Sequence, residues 1–109
     1  MGHPKFVIEA SGGQFHFHLA TAKGEIVLNS ERYTTRYNAE GCIESVKMNS
    51  TVDQRYDRKL SQHREHYFVL RGGDHEVIGM SEMYESERAM EEGIVAVKRS
   101  AAVAGVEGG

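Results

Sequence analysis

The sequence predicts an α+β domain made of two tandem β-β-β-α(-β) repeats, and two observations carry this prediction. First, the chain resembles itself at a shift of 51 residues, which pairs Phe17 with Phe68. Second, each copy changes from the alternating pattern of strands to the three-to-four-residue spacing of an amphipathic helix. With 109 residues, 39% of them hydrophobic, the chain has room for one such domain.

The repeat runs without a gap from residue 17 to residue 47 of the first copy. Its identical pairs are Phe17 with Phe68, Leu19 with Leu70, Glu25 with Glu76, Ser30 with Ser81, Glu31 with Glu82, Tyr33 with Tyr84, Glu40 with Glu91, Ile43 with Ile94, Val46 with Val97 and Lys47 with Lys98. Three short strands and one helix make too small a core to be stable alone. We therefore expect repeats 1–51 and 52–109 to form a single domain with pseudo-twofold symmetry, in which one shared antiparallel sheet carries two helices.

In the first repeat, residues 5–10, 14–20 and 25–30 are predicted strands separated by glycine-containing turns. The second of these alternates strictly, with Phe15, Phe17 and Leu19 on one face and His16 and His18 on the other. A helix follows, with Thr34 or Thr35 as its N-cap. Its apolar stripe consists of Ala39, Cys42, Ile43 and Val46.

The second repeat follows the same plan. Residues 65–71 and 76–81 are predicted strands, and Ser86 is the expected cap of a helix that buries Met90, Gly93, Ile94 and Val97. The tail, 102–109, is rich in glycine and small residues. We expect this tail to be flexible, or at most to form a short edge strand.

Several linked motifs resemble the YegP-like family, which consists of small bacterial proteins with a domain of unknown function. In the first copy they read Gly13-Gln14-Phe15-His16-Phe17-His18-Leu19, Gly24-Glu25-Ile26-Val27, Ser30-Glu31-Arg32-Tyr33 and Cys42-Ile43-Glu44-Ser45-Val46-Lys47. In the second they read Tyr67-Phe68-Val69-Leu70, Glu76-Val77-Ile78, Ser81-Glu82-Met83-Tyr84 and Gly93-Ile94-Val95-Ala96-Val97-Lys98. The resemblance implies tandem β-β-β-α-β units that share one sheet and exchange their last strands. It implies no activity.

Composition excludes several classes of protein. The net charge is -3, and neither half carries a basic excess, so nucleic acid is not an expected partner. The single cysteine, Cys42, cannot form an intramolecular disulfide. The chain shows no signal-peptide pattern and no apolar run long enough for a membrane span. We expect a soluble cytoplasmic monomer, since the repeat that would otherwise drive dimerisation is internal.

The motif Ser-Glu-x-Tyr occurs in both copies, where the third strand meets the helix. Its residues are Ser30, Glu31, Tyr33, Ser81, Glu82 and Tyr84. In one interpretation the glutamates accept hydrogen bonds from a ligand between flat tyrosine walls. In the other, which we favour, serine ends the strand, tyrosine packs over the turn, and glutamate caps a helix or pairs with Lys47 or Lys98.

Metal binding and catalysis find little support in the sequence. His16 and His18 lie two residues apart on one strand face, but a zinc site needs at least three protein ligands. Cys42 lies on the apolar stripe of a helix, as small buried cysteines usually do. No catalytic, phosphate-binding or nucleotide-binding motif is recognisable. We expect no metal, no cofactor and no catalytic residues.

The side of the sheet that faces away from the helices is the candidate binding surface. If the phenylalanines of the strands face the helices, then His16, His18, Tyr67 and Val69 face the other way. Two helices cannot cover both faces, and a semi-apolar face left exposed is typical of an interaction surface. We therefore predict a non-enzymatic module that binds a protein or a small ligand there. The alternative is a small enzyme or metal-dependent protein with sites near the Ser-Glu-x-Tyr motifs.

Overall fold

The fold was analysed in a computed structural model, which describes residues 2–108. It confirms the α+β class: seven strands and two α-helices are present, together with one 3-10 helix. In chain order the elements are β1 (Lys5–Ser11), β2 (Gln14–Ala20), β3 (Ile26–Asn29), α1 (Arg36–Asn49), the 3-10 helix (Asp53–Arg55), β4 (Tyr56–Leu60), β5 (His66–Arg71), β6 (Val77–Met80), α2 (Glu87–Ala101) and β7 (Gly105–Gly108). Within residues 2–108, neither helix has the length and apolar character needed to cross a membrane.

All seven strands form one sheet in the order β4-β5-β6-β3-β2-β1-β7. The two repeats meet at its centre, where Asn29 of β3 pairs with Met80 of β6. These residues occupy equal positions in the two repeats, so the pseudo-twofold axis passes between them. The two Ser-x-x-Tyr segments extend the ladder beyond the named strands through single bridges.

The sheet is mixed, which corrects the prediction of a purely antiparallel one. β7 belongs to the second repeat but lies beside β1 of the first and runs parallel to it. The tail of the chain thus forms an edge strand, and the second repeat exchanges its last strand as the family resemblance implied. At the matching place after α1, the chain forms the 3-10 helix Asp53–Arg55 instead of a strand.

Both helices begin where a hydroxyl caps them. The Thr35 hydroxyl accepts a hydrogen bond from the Asn38 N–H at 3.0 Å, and the Ser86 hydroxyl accepts one from the Ala89 N–H at 3.0 Å. Each cap satisfies a backbone donor that a helix N-terminus otherwise leaves unpaired. These contacts confirm Ser86 as a cap and decide between Thr34 and Thr35.

The core lies between the helices and one face of the sheet. Its largest fully buried side chains come from alternate strand positions and from the apolar stripes of the helices: Phe6, Ile8, Phe17, Leu19, Leu28, Phe68, Leu70, Ile43, Ile94, Val46 and Val97. The match between repeats extends into β4, although the identities fade there. Phe6 packs edge-to-face on Phe17 with ring centroids 5.8 Å apart, and Tyr56 packs on Phe68 in the same way at 5.6 Å.

The equivalence of Phe6 and Tyr56 is hidden in the sequence. These two residues are 50 positions apart, whereas Phe17 and Phe68 are 51 positions apart. The β4–β5 connection contains the extra residue: Leu60 pairs with His66, whereas the first repeat pairs residue 10 with residue 15. A one-residue difference in a hairpin loop shifts the alignment of the preceding strand without changing its contacts.

A charged cluster ties the edge strand β4 to α2. Arg58 donates to both carboxylate oxygens of Glu91, one of them at 3.0 Å, and it also contacts Asp53 at 3.2 Å. Lys98 approaches Asp53 to 3.0 Å. The hydrogen bond from Arg58 is the main cause that lowers the pKa of Glu91 below its ordinary value of 4.5.

This lowered pKa predicts an acid-sensitive contribution to stability. The stabilisation is complete above the ordinary carboxyl pKa and is lost as the pH falls through the lowered pKa of the folded state. The unfolding free energy of the wild type should therefore fall between about pH 6 and about pH 3. Because the Glu91 side chain is 42% exposed, we expect this fall to be smaller in Glu91→Gln by only about 0.5–1 kcal/mol. Urea unfolding at both pH values measures this difference. Glu92→Gln, which alters only an exposed pair with Arg88 at 3.7 Å, should leave the decrease unchanged, and an equal effect of the two variants would contradict the assignment.

Candidate functional site

The serines of the Ser-Glu-x-Tyr motifs hold the backbone at the end of the third strand of each repeat. The Ser30 hydroxyl accepts a hydrogen bond from the Phe17 N–H at 2.8 Å and donates to the carbonyl of the next residue at 2.7 Å. Ser81 does the same, with the Phe68 N–H at 2.9 Å and the following carbonyl at 2.7 Å. Each hydroxyl thus uses its only hydrogen and one of its two lone pairs within the backbone, which leaves no donor for a ligand.

The tyrosines of the motifs pack against the helix of their own repeat. A Cβ added at Gly93 would come within 2.4 Å of the Tyr84 hydroxyl oxygen, so this contact depends on a glycine in α2. In the first repeat Cys42 stands at the equivalent position, and Tyr33 and Cys42 border the same cavity. Burial raises the pKa of both tyrosines. The two rings therefore complete the helix–sheet contact rather than form ligand walls.

Cys42 is not an activated nucleophile. The Cys42 residue is 8% exposed, and its sulfur lies 3.4 Å from the Ile78 carbonyl oxygen. Burial raises the pKa of this thiol, and the nearby Tyr33 hydroxyl offsets that rise only in part. The thiol thus stays protonated at neutral pH, and a protonated thiol is a poor nucleophile.

The motif glutamates remain at the surface. Glu82 accepts a hydrogen bond from the Asn29 amide at 2.5 Å, across the junction of the two repeats. Within residues 2–108, the Glu31 carboxylate has no hydrogen-bond or ion-pair partner, and it borders a cavity of about 330 Å³. The prediction that these glutamates pair with Lys47 or Lys98 is wrong, because both lysines contact other carboxylates, at 3.9 and 3.0 Å. They cap no helix either, since Thr35 and Ser86 do so.

His16 and His18 share one carboxylate. The Glu9 Oε1 atom, on β1, lies 3.5 Å from His16 Nε2 and 3.6 Å from His18 Nδ1. In the part of the chain that the structure describes, His16 Nδ1 is buried without a hydrogen-bond partner. No group of three or more potential ligands among residues 2–108 is arranged to hold a metal ion.

The side of the sheet opposite the helices is a continuous surface that crosses six strands, and we call it the open sheet face. Directly paired strand residues share a face. One row across it consists of Val7, His18, Asn29, Met80, Val69 and Asp57, and the flanking positions are Glu9, His16, Lys59 and Tyr67. The structure thus brings His16, His18, Tyr67 and Val69 onto one surface, away from the helices.

The open sheet face is less apolar than the alternation of its strands indicated. Val69 is only 5% exposed, and the Arg71 guanidinium reaches the Asp57 carboxylate, on the residue paired with Val69, at 3.2 Å. Met80, at the centre of the row, is 42% exposed. Sequence analysis missed Met80, since its central position depends on which strands of the two repeats become neighbours.

A second surface feature lies on the helix side of the sheet. A cavity of about 640 Å³ opens between α2 and the β2–β3 turn, and we call it the α2 groove. Val95 and Ala96 of α2 line it, and three cationic residues stand around it: Lys23, Arg88 and Arg99. Sequence analysis missed this groove because it joins the helix of one repeat to a turn of the other. The sequence does contain one sign of the groove: Lys23 is basic, whereas its counterpart at the 51-residue shift, Asp74, is acidic.

Comparison with known proteins gives a consistent result. A family model described as "Domain of unknown function (DUF1508)" matches the chain twice, at residues 10–57 and 61–107. UPF0339 protein YegP of Yersinia pestis is 41% identical over 100 residues, which cover 92% of this chain and 88% of that protein. UPF0339 protein YegP of Escherichia coli K12 is 40% identical over 90 residues, covering 83% of this chain and 82% of the relative.

Two solution NMR structures have the same fold. A protein of unknown function, yegP of Escherichia coli, superposes with a TM-score of 0.91 at 35% identity, covering 99% of this chain and 94% of the other. A UPF0339 protein of Shewanella oneidensis superposes with a TM-score of 0.90 at 33% identity, covering 96% and 90%. The two matches of the family model agree with the internal duplication.

Proposed function

We propose that this chain, which belongs to the DUF1508 family of proteins of unknown function, is a non-enzymatic binding module. Its open sheet face contacts a partner protein. The observation that carries this proposal is the exposure of Met80 at the centre of a helix-free surface. Protein interfaces typically combine an apolar centre with a polar rim. Here Met80, 42% exposed, is the centre, and hydrogen-bonding side chains of the neighbouring strands form the rim.

The rim differs on its two sides. Beside β1 and β2 it carries the Glu9 carboxylate between two imidazoles, at 3.5 and 3.6 Å. Beside β4 and β5 it carries Tyr67 and the pair between Asp57 and Lys59 at 3.4 Å. The surface is therefore directional although the fold is pseudo-symmetric, which suits recognition of one partner in one orientation.

The shape of the open sheet face favours a protein over a small molecule. Small-molecule sites are concave and enclose most of the ligand. Four surface cavities of the molecule border the helices, the turns or the sheet edges, and His18, Tyr67, Val69 and Met80 line none of these four. A protein surface can cover such a face without requiring a pocket.

The chemistry of the Ser-Glu-x-Tyr motifs supports a binding module over the enzyme alternative. The serine hydroxyls are bonded to backbone groups, and the one thiol of the chain has a raised pKa. The cavity that Glu31 borders contains no histidine.

The same proposal places the module in the cytoplasm as a monomer. A chain with one cysteine gains no disulfide from an oxidising compartment. The second repeat already covers the surfaces of β3 and α1 that a single repeat would leave exposed.

A pair of matched methionine variants tests the proposed surface. Met80 lies on the open sheet face and Met48, 77% exposed, lies on α1. We expect the wild-type chain and Met48→Glu to capture the same partner from an extract of the native cell, and Met80→Glu to bind that purified partner about tenfold more weakly or worse. Amide shifts induced by the partner should include His18 and Tyr67.

Two results would overturn the proposal. One is equal affinity of the two methionine variants, with Met80→Glu shown to be folded by its amide spectrum. The other is a partner complex in which the amide signals of His18 and Tyr67 do not move.

A further inference from the structure

We infer that the α2 groove, on the side of the sheet opposite the proposed partner surface, binds a small organic anion with an apolar body. Its volume of about 640 Å³ lies within the range of small-molecule sites, about 300–1,000 Å³. Val95 is 42% exposed and lies beside Ala96 in the groove, where an aliphatic or aromatic body can displace water from both.

The charges around the α2 groove favour an anion. Lys23, Arg88 and Arg99 stand against three carboxylates of the groove, those of Glu25, Glu91 and Glu92. Glu91 is already bonded by Arg58, which lies outside the groove, so the three cations face two further carboxylates, those of Glu25 and Glu92. Of the three, Arg88 pairs with Glu92 at 3.7 Å. Among residues 2–108, Lys23 and Arg99 form no ion pair and are available to a carboxylate.

The difference between the two repeats argues that these cations serve a ligand and not the fold. Both repeats form the same three strands and the helix that follows them. Each cationic position of the groove therefore has a counterpart in the other repeat, where the fold forms without a cation. The counterparts of the three cationic positions are uncharged or acidic: Asp74 for Lys23, Tyr37 for Arg88 and Met48 for Arg99. The three cations therefore occur at only one of two equivalent places in the fold.

Titration of the isotopically labelled full-length chain with octanoate, followed by amide NMR, tests this inference. We expect saturable shifts at Ala22, Val95 and Ala96. Octylammonium has the same chain with a positive charge, and acetate has the charge without the chain. Both should bind about tenfold more weakly or worse, since the site requires the two features together.

The residues of the other repeat provide matched variants. Lys23→Asp and Arg99→Met each introduce the residue that already occupies the counterpart position, and together they should weaken octanoate binding about tenfold or more. The control changes Asp74→Asn and Met48→Leu, at the counterpart positions, should leave binding unchanged. The inference is overturned if octylammonium binds as well as octanoate, if the groove variants bind like the wild type, or if octanoate shifts amides of the open sheet face instead.

Discussion

Replacing Gly79 with leucine is expected to destabilise the folded protein by about 3 kcal/mol or more, the upper range for an overpacked core. Gly79 is buried in β6, beside the pseudo-twofold axis. A Cβ added there would lie 2.6 Å from Leu28 Cγ and within 2.9 Å of both methyl carbons of the same side chain. Strand propensity favours leucine over glycine, so a loss of stability reports the steric conflict.

The conflict arises because Leu28 and Gly79 are equivalent residues of the two repeats that meet across the axis. Leu28 is 0% exposed and fills the space that both positions share. Two leucines cannot occupy this space, and two glycines would leave a cavity. The pseudo-twofold symmetry is therefore broken where its two copies come closest.

A double-mutant cycle isolates this interaction. Leu28→Gly alone should cost about 3–5 kcal/mol, since it empties a buried position. The double mutant Leu28→Gly/Gly79→Leu should be more stable, by more than about 2 kcal/mol, than the sum of the two single losses predicts. In the double mutant the leucine fills the shared space from the other side. Urea unfolding of the four proteins measures the coupling.

Gly41→Leu is the matched control. Gly41 lies in α1, and a Cβ added there would meet nothing within 4 Å. Leucine should stabilise this helix by up to about 1 kcal/mol. If Gly79→Leu were as well tolerated as Gly41→Leu, or if the double mutant were no more stable than the sum of its parts predicts, the steric account of the axis would be wrong.

Separating the two repeats is expected to abolish folding of each, and mixing them is expected to restore it. Fragments 1–51 and 52–109 should each show an unfolded circular dichroism spectrum at micromolar concentration. Each would expose one side of the β3–β6 junction and lose the packing of its helix against strands of the other fragment. An equimolar mixture should form a 1:1 complex with the spectrum of the intact chain.

The contacts between the repeats account for this expectation. Cys42 of α1 reaches the Ile78 carbonyl at 3.4 Å, and the Arg36 guanidinium donates to the Gly108 carbonyl at 2.8 Å. β7 pairs with β1 of the other repeat. Backbone groups and apolar surface of each fragment thus find their partners only in the other.

The choice of partner is also predictable. A pair of 1–51 fragments would bring two copies of Leu28 together, whereas 52–109 supplies Gly79, so the mixed complex should form in preference to either homodimer. Sedimentation equilibrium of the mixture and of each fragment measures this preference. A folded monomer of residues 1–51, or a 1–51 homodimer as stable as the mixed complex, would contradict it.

The sequence by itself determined the two repeats, their helices and most of their strands. Alternation in residues 14–20 and the helical stripe around Ile43 and Ile94 are local patterns, and a period of two or of 3.6 residues places side chains on a face whatever the rest of the chain does. The cap at Ser86 is equally local, whereas the choice of Thr35 over Thr34 came from the structure. For the candidate site, the same alternation placed His18 and Tyr67 together on the face opposite the helices.

Only the tertiary structure decided which strands became neighbours. The parallel pairing of β7 with β1, the place of Met80 at the centre of the open sheet face and the α2 groove all join residues far apart in the chain. Such contacts depend on the shape left between packed elements, which no local period encodes. Leu28 and Gly79 show why. Their equal positions in two similar repeats are visible in the sequence. Only the close approach of the two strands limits the space between them to a single leucine side chain.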